Sequence, residues 1–154
     1  MIISSSGIVN GKILDKFGKR GTQIKFGMPT LSLPLKIEDA PKNTKSFAII
    51  FDDPDSVPVC GYEWIHWLVA NLTKTELEED ASQTNFEFVQ GKNSWNENCY
   101  GGPCPPDRPH SYRFRVYALS EKLDLRGDFS LIQLEKAMDG KVLETAELRG
   151  IYDN

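Results

Sequence analysis

The stretch YRFRVYALS, from Tyr112 to Ser120, decides how the rest of the chain is read. Tyr112, Phe114, Val116 and Ala118 fall on one face at a period of two, while Arg113 and Arg115 point the other way. This is a strand with one face in a core. Outward from it the chain reads as further short strands separated by turn chemistry. KSFAIIFDD (Lys45 to Asp53) is a compact apolar run that stops at Asp-Pro, and WIHWLVANL (Trp64 to Leu72) is another, rich in aromatic and β-branched residues. NFEFVQG puts Phe86 and Phe88 on one face, and KVLETAELRGIYD reads as a strand that closes a sheet. One helix stands out: Ser130 caps it, Gln133 completes a capping box, Leu131, Leu134 and Met138 recur at helical spacing, and Gly140 ends it. With no linker, repeat or low-complexity run, residues 1–154 read as a single domain. Many strands and little helix predict a mainly β fold, an antiparallel β-sandwich or barrel-like arrangement.

Composition sets the outer limits. A chain of 154 residues, 40% hydrophobic and 26% charged, buries a proper core without staples and has the balance of a soluble globular protein. Its net charge of -4 argues against non-specific nucleic-acid binding, which needs a basic field to displace counterions. No window offers the roughly 18 to 20 apolar residues that span a bilayer. MIISSSGIVNGKILDKF lacks a basic n-region and a long apolar run, so no signal peptide is expected. Three cysteines, Cys60, Cys99 and Cys104, read as free thiols in a reducing, cytoplasmic setting, with a Cys99–Cys104 bridge as the alternative.

Two segments concentrate the chemistry. CYGGPCPPDRPHSY (Cys99 to Tyr112) holds Pro103, Pro105, Pro106 and Pro109, so it is a stiff loop and neither a helix interior nor a central strand. FDDPDSVPVCGYEWIHW (Phe51 to Trp67) gathers Asp52, Asp53 and Asp55 around Pro54, three carboxylates that need donors, a cation or water. Its plainest reading is an Asp-Pro turn. In the strand that follows, alternation places Trp64, His66 and Leu68 on one face. A histidine there reads as a satisfied core residue or as part of a site, and the chain has only one other, His110 at the end of the proline loop. His66, His110 and the Tyr112 hydroxyl together supply donors for a phosphate monoester or a carboxylate, and Gly101–Gly102 permits close approach to the backbone. An aspartate facing a histidine would fix its tautomer and favour its charged form. The two glycines fit no nucleotide-binding pattern. Zinc is set aside because CxxC, HExxH and HxH spacings are all missing. A Cys104 thiolate nucleophile is disfavoured because the surrounding prolines leave few N–H groups for an oxyanion hole.

In this order the two segments resemble the signature of the phosphatidylethanolamine-binding protein family, which includes the Raf kinase inhibitor proteins. Asp53-Pro54-Asp55, then Pro58, then His66-Trp67 are similar to its first block. Gly102-Pro103-Cys104-Pro105-Pro106 through His110-Ser111-Tyr112 are similar to its second. Ser32-Leu33-Pro34-Leu35 with Ala40-Pro41 resembles a weaker upstream block, and the GPCPP form looks like the bacterial and archaeal branch. The chain departs from the pattern at Ser111, where arginine is usual, and at Asp107-Arg108-Pro109, where loop glycines are usual. The N-terminal region around Lys16 to Arg20 also matches poorly.

The resemblance implies a β-sandwich of two antiparallel sheets with a few short peripheral helices, and a small anion pocket for phosphate, acetate or a phosphoethanolamine head group. By the same resemblance Asp53 and His66 form one wall and Gly102, Pro103, His110 and Tyr112 the other. Asp55, Pro58, Trp67 and Cys104 support them, Asp55 by tying the loop together and Cys104 as a packing residue. The expected function is a small-anion-binding protein, without metal or cofactor, that regulates a partner kinase or protease. The alternative is a hydrolase with His66 or His110 as general acid/base, disfavoured by the lack of a full nucleophile–base–oxyanion set. A homodimer is expected from the same branch. Stable membrane insertion is not.

Overall fold

The computed structural model describes all residues, Met1 to Asn154. In chain order the elements are β1 (Ile2–Ser4), β2 (Ile8–Val9), β3 (Lys12–Ile13), β4 (Ile24–Lys25), β5 (Met28–Pro29), β6 (Leu35–Glu38), β7 (Ser46–Asp53), α1 (Val57–Cys60), β8 (Trp64–Leu72), β9 (Glu76–Leu77), α2 (Ala81–Thr84), β10 (Val89–Gln90), β11 (His110–Leu119), α3 (Leu131–Met138) and β12 (Val142–Tyr152). They form a seven-stranded sheet in the order β10-β8-β7-β11-β12-β3-β2, a three-stranded sheet β1-β6-β9 and a two-stranded ribbon β4-β5. The four long strands lie side by side in the order β8, β7, β11, β12, each antiparallel to its neighbour.

Every residue of β7 is buried because both faces of the large sheet are covered. On one face Phe47, Ile49 and Phe51 join Trp67, Val69, Phe114 and Val116 in a core closed by Ile3, Leu35, Ile37 and Leu77 of the small sheet. On the other, Ala48, Ile50, Leu68 and Ala70 pack under Leu123, Phe129, Leu134 and Met138. The fold is therefore mainly β with short helices, as expected. The expectation of a sandwich of two antiparallel sheets is met only in part: the second layer is three strands of three, four and two residues, β3 pairs with β12 in parallel, and α3 with its preceding loop covers the opposite face of the large sheet. Alternation along a strand shows that a face is buried but not what buries it.

The capping box of α3 forms as read, with Gln133 N donating to Ser130 Oγ at 3.1 Å and Ser130 N donating to Gln133 Oε1 at 2.9 Å. Gly140 follows it with φ of +76°. The strand expected over NFEFVQG shrinks to Val89–Gln90, and Phe86 is 87% exposed while Phe88 is buried. A helical turn at α2 ends only at Asn85, so Phe86 and Phe88 never enter a ladder that would hold them on one face. All three cysteines are free. No helix is long and apolar enough to cross a membrane.

Candidate functional site

The three aspartates at the end of β7 escape mutual repulsion by going to different partners. Asp52 is fully buried and accepts from Arg113 Nε at 2.9 Å and Nη2 at 2.7 Å and from Arg115 Nη2 at 2.8 Å. Asp53 caps the 3₁₀ turn Pro54–Ser56 by accepting from Asp55 N at 2.9 Å, with Pro54 preset for its first position. Asp55 reaches across to β11 and accepts from Ser111 N at 2.8 Å. Ser56 Oγ lies 2.7 Å from the carbonyls of Asp53 and Tyr62 and accepts from Trp64 N at 2.7 Å, which fastens the loop through α1 to the start of β8.

His66 is aimed by a β-bulge. Phe51 pairs with Trp67 and Asp52 with Ile65, so His66 is the extra residue between them. The strict alternation read from the sequence therefore fails here: Leu68 joins the helix-covered core, while His66 and Trp67 both turn to the other face. A bulge re-aims one side chain without moving the rest of the strand, and bulges cluster beside active sites. His66 Nδ1 donates to Gly101 O at 2.6 Å, and Gly101 N donates to His66 O at 2.9 Å. That double link draws the proline loop against β8 and explains its glycines. A Cβ on Gly101 would lie 2.5 Å from the Trp95 ring, and one on Gly102 would lie 2.1 Å from Phe17 O. Burial pushes the His66 imidazole down to about 4, against the raising effect of its bond to Gly101. At neutral pH it is uncharged, its proton sits on Nδ1, and Nε2 is an acceptor without a protein partner.

His110 is in the opposite state. Its Nδ1 lies 2.7 Å from Asp53 Oδ2 and its Nε2 lies 2.7 Å from Asp107 Oδ1, although only 1% of the side chain is exposed. With both carboxylates ionised, each ring nitrogen must carry a proton, and the ring is then an imidazolium. Burial lowers its pKa, but the hydrogen bonds to Asp53 and Asp107 outweigh that, and the net shift is upward. Burial likewise holds Asp53 above the usual carboxylate range in spite of His110. Tyr112 stays a phenol, because burial raises its pKa far above the ordinary value.

These groups surround a cavity of about 260 Å³. Of the residues expected from the sequence, Asp53, His66, His110, Tyr112 and Cys104 line it. Cys104 is exposed there, which corrects its reading as a packing residue. Gly102 and Pro103 do not line it and instead hold the loop from behind: Gly102 N donates to Pro29 O at 2.8 Å, and Pro103 O accepts from Lys19 N at 2.8 Å. Asp55 and Pro58 also lie outside the lining, and Trp67 is a core residue that donates to Gln90 Oε1 at 2.7 Å. Sequence reasoning missed Trp64 and Trp95, whose rings meet edge to face at 5.3 Å, together with Ser56, Val59, Cys60 and Pro106. Trp95 had a signal, since Asn93 and Asn96 flank it in a turn. Asn93 Oδ1 accepts from Trp95 N and Glu97 N, and its Nδ2 donates to Cys99 O. A larger, open groove of about 630 Å³ beside β6 and β9 contains neither histidine nor aromatic side chains.

Known proteins give this arrangement a context. The phosphatidylethanolamine-binding protein family model matches residues 4–153. The uncharacterized protein YxkA of Bacillus subtilis is 35% identical over 150 residues, covering 87% of this chain and 89% of its own. The structure of CT736 from Chlamydia trachomatis, described as a putative phosphatidylethanolamine-binding protein homolog, superposes with a TM-score of 0.86 at 37% identity, covering 99% of this chain and 96% of its own. YbcL of Escherichia coli, described as a member of the mammalian family, gives a TM-score of 0.83 at 30% identity and covers 99% of this chain and 97% of its own. A match over almost the whole length, at these identities and with one fold throughout, places this chain in the phosphatidylethanolamine-binding protein family.

Proposed function

We propose that the cavity binds the head of a small protonated oxyacid, above all a phosphate monoester in its monoanionic form. The observation that carries this reading is the contrast between the two histidines. His110 contributes a buried positive charge, while neutral His66 presents an acceptor at Nε2. A ligand that matches both has negative oxygens and a retained O–H, and the Tyr112 phenol adds a further donor. The size agrees: about 260 Å³ is below the roughly 300 to 1,000 Å³ of sites for drug-sized molecules and suits a head group. The geometry supports binding over turnover, since the one serine hydroxyl in the lining is committed to Asp53 O, Tyr62 O and Trp64 N.

Titrating the protein with inorganic phosphate and with phosphoethanolamine by NMR tests this reading, using the indole N–H signals of Trp64 and Trp95 as reporters. Binding is expected to strengthen from pH 8 to pH 6, as the monoanion of phosphoethanolamine, with a second pKa of about 6, rises from a trace to about half of the total. His66→Asn keeps a donor toward Gly101 but removes Nε2, and is expected to abolish that pH dependence. Unmoved signals at millimolar ligand, or an unchanged profile in the variant, would rule the reading out.

A further inference from the structure

His110 is held by two carboxylates that differ in kind. Asp53 belongs to the cavity lining and its side chain is 5% exposed, whereas Asp107 lies outside the lining and its side chain is 43% exposed. We propose that Asp107 is a positioning residue that keeps His110 in its charged form, so that anion binding inside the cavity depends on a carboxylate outside it.

Asp53 alone needs one proton, on Nδ1, and a neutral imidazole satisfies it. With Asp107 Oδ1 at 2.7 Å, a bare Nε2 lone pair would face a second acceptor, so the contact exists only with a proton on Nε2. Asp107 itself stays ionised, because the hydrogen bond from His110 lowers its pKa. No lysine or arginine lines the cavity, so the positive charge of His110 is the only one in its walls. The other groups around the ring do not supply the second acceptor. Asp55 is turned to Ser111 N and toward Arg108 at 3.6 Å, Tyr112 is a phenol, His66 is neutral, and Tyr152, opposite on β12, donates its hydroxyl to Asp15 O. Arg108 Nε, 3.9 Å from Asp107 Oδ2, steadies the carboxylate from the solvent side. Asp107 also falls in the segment where the sequence departs from the family's loop glycines.

The inference rests on the anion-binding reading above, and the test separates the two. The His110 imidazole is titrated by NMR in the wild type, Asp107→Asn and Asp107→Glu. Inorganic phosphate affinity is measured for each at pH 7.5 and pH 5.5. Taking the ratio of wild type to variant at each pH cancels the titration of phosphate. The midpoint of His110 is expected to fall by at least about one unit in Asp107→Asn, and phosphate binding at pH 7.5 to weaken in step with the fraction of rings that lose their charge, by up to about tenfold for each unit. At pH 5.5, where the ring is charged in either protein, the two are expected to agree within about twofold. Asp107→Glu restores the carboxylate and is expected to recover most of the loss. An unmoved His110 midpoint overturns the inference, as does a variant that binds phosphate equally well or more tightly at pH 7.5. If phosphate binds none of the three proteins, the anion-binding reading fails, and the imidazole titration alone then decides the role of Asp107.

Discussion

Acidification from pH 7.5 to pH 4.5 puts the neutral state of His66 to a direct test. Its pKa is about 4 in the folded protein, against the ordinary value of 6.5 expected once the chain unfolds. A folded pKa below the unfolded one means that the unfolded state binds more protons between these values. The native state therefore keeps its full stability above pH 6.5 and loses it progressively as pH falls toward 4. At about 1.4 kcal/mol per unit, a displacement from 6.5 to about 4 is worth about 3 kcal/mol, most of it spent by pH 4.5. His110 has the opposite sign. Its raised pKa gives stability that is complete below pH 6.5 and lost as pH rises through the folded value. The carboxylates titrate in both proteins and cancel when the wild type is compared with His66→Asn. Urea unfolding at the two pH values supplies the numbers. Relative to the wild type, the variant should gain about 2–3 kcal/mol on going to pH 4.5, a midpoint change of about 1 M in urea. Parallel losses in both proteins, or an imidazole that titrates above pH 6 in the folded state, would show that burial does not keep His66 neutral.

Two further substitutions probe the frame around the cavity. Asp52→Asn removes the charge shared by Arg113 and Arg115 on a fully buried group and is expected to cost about 3–5 kcal/mol in urea unfolding; a loss below 1 kcal/mol would show that water solvates the two guanidinium groups. Gly102→Ala places a methyl 2.1 Å from the backbone oxygen of Phe17 and is expected to cost about 1–3 kcal/mol, whereas Gly127→Ala, whose nearest atom is 3.7 Å away, should stay within about 1 kcal/mol of the wild type. Equal midpoints for the two alanine variants would contradict the close approach of the proline loop to Phe17.

Much of the fold was legible because its long strands carry regular signals. β11 alternates strictly, β7 is a continuous apolar run ending at Asp-Pro, and α3 has both a capping box and a glycine stop. Readings failed where a local pattern had no say in its surroundings. Phe86 and Phe88 alternate, but no neighbouring strand takes them up, so Phe86 is left in solvent. Gly102 and Pro103 belong to a motif that reads as a wall, yet the loop turns them toward Phe17, Pro29 and Lys19. Asp107, three residues before His110, carried no signal at all, because a carboxylate in a proline loop reads as turn chemistry until the ring it touches is in place.

The faces of β11, the capped helix and the stiff proline loop were already written in the chain, since these follow from periodicity and from the backbone limits of proline and glycine. Only the tertiary structure decided the protonation states. Both histidines begin from the same ordinary value of 6.5; one is buried against a carbonyl and stays neutral, and the other is clamped between two carboxylates and is charged. The bulge that turns His66 toward Gly101 is likewise a property of strand pairing, because one extra residue shows only against the partner that it fails to match.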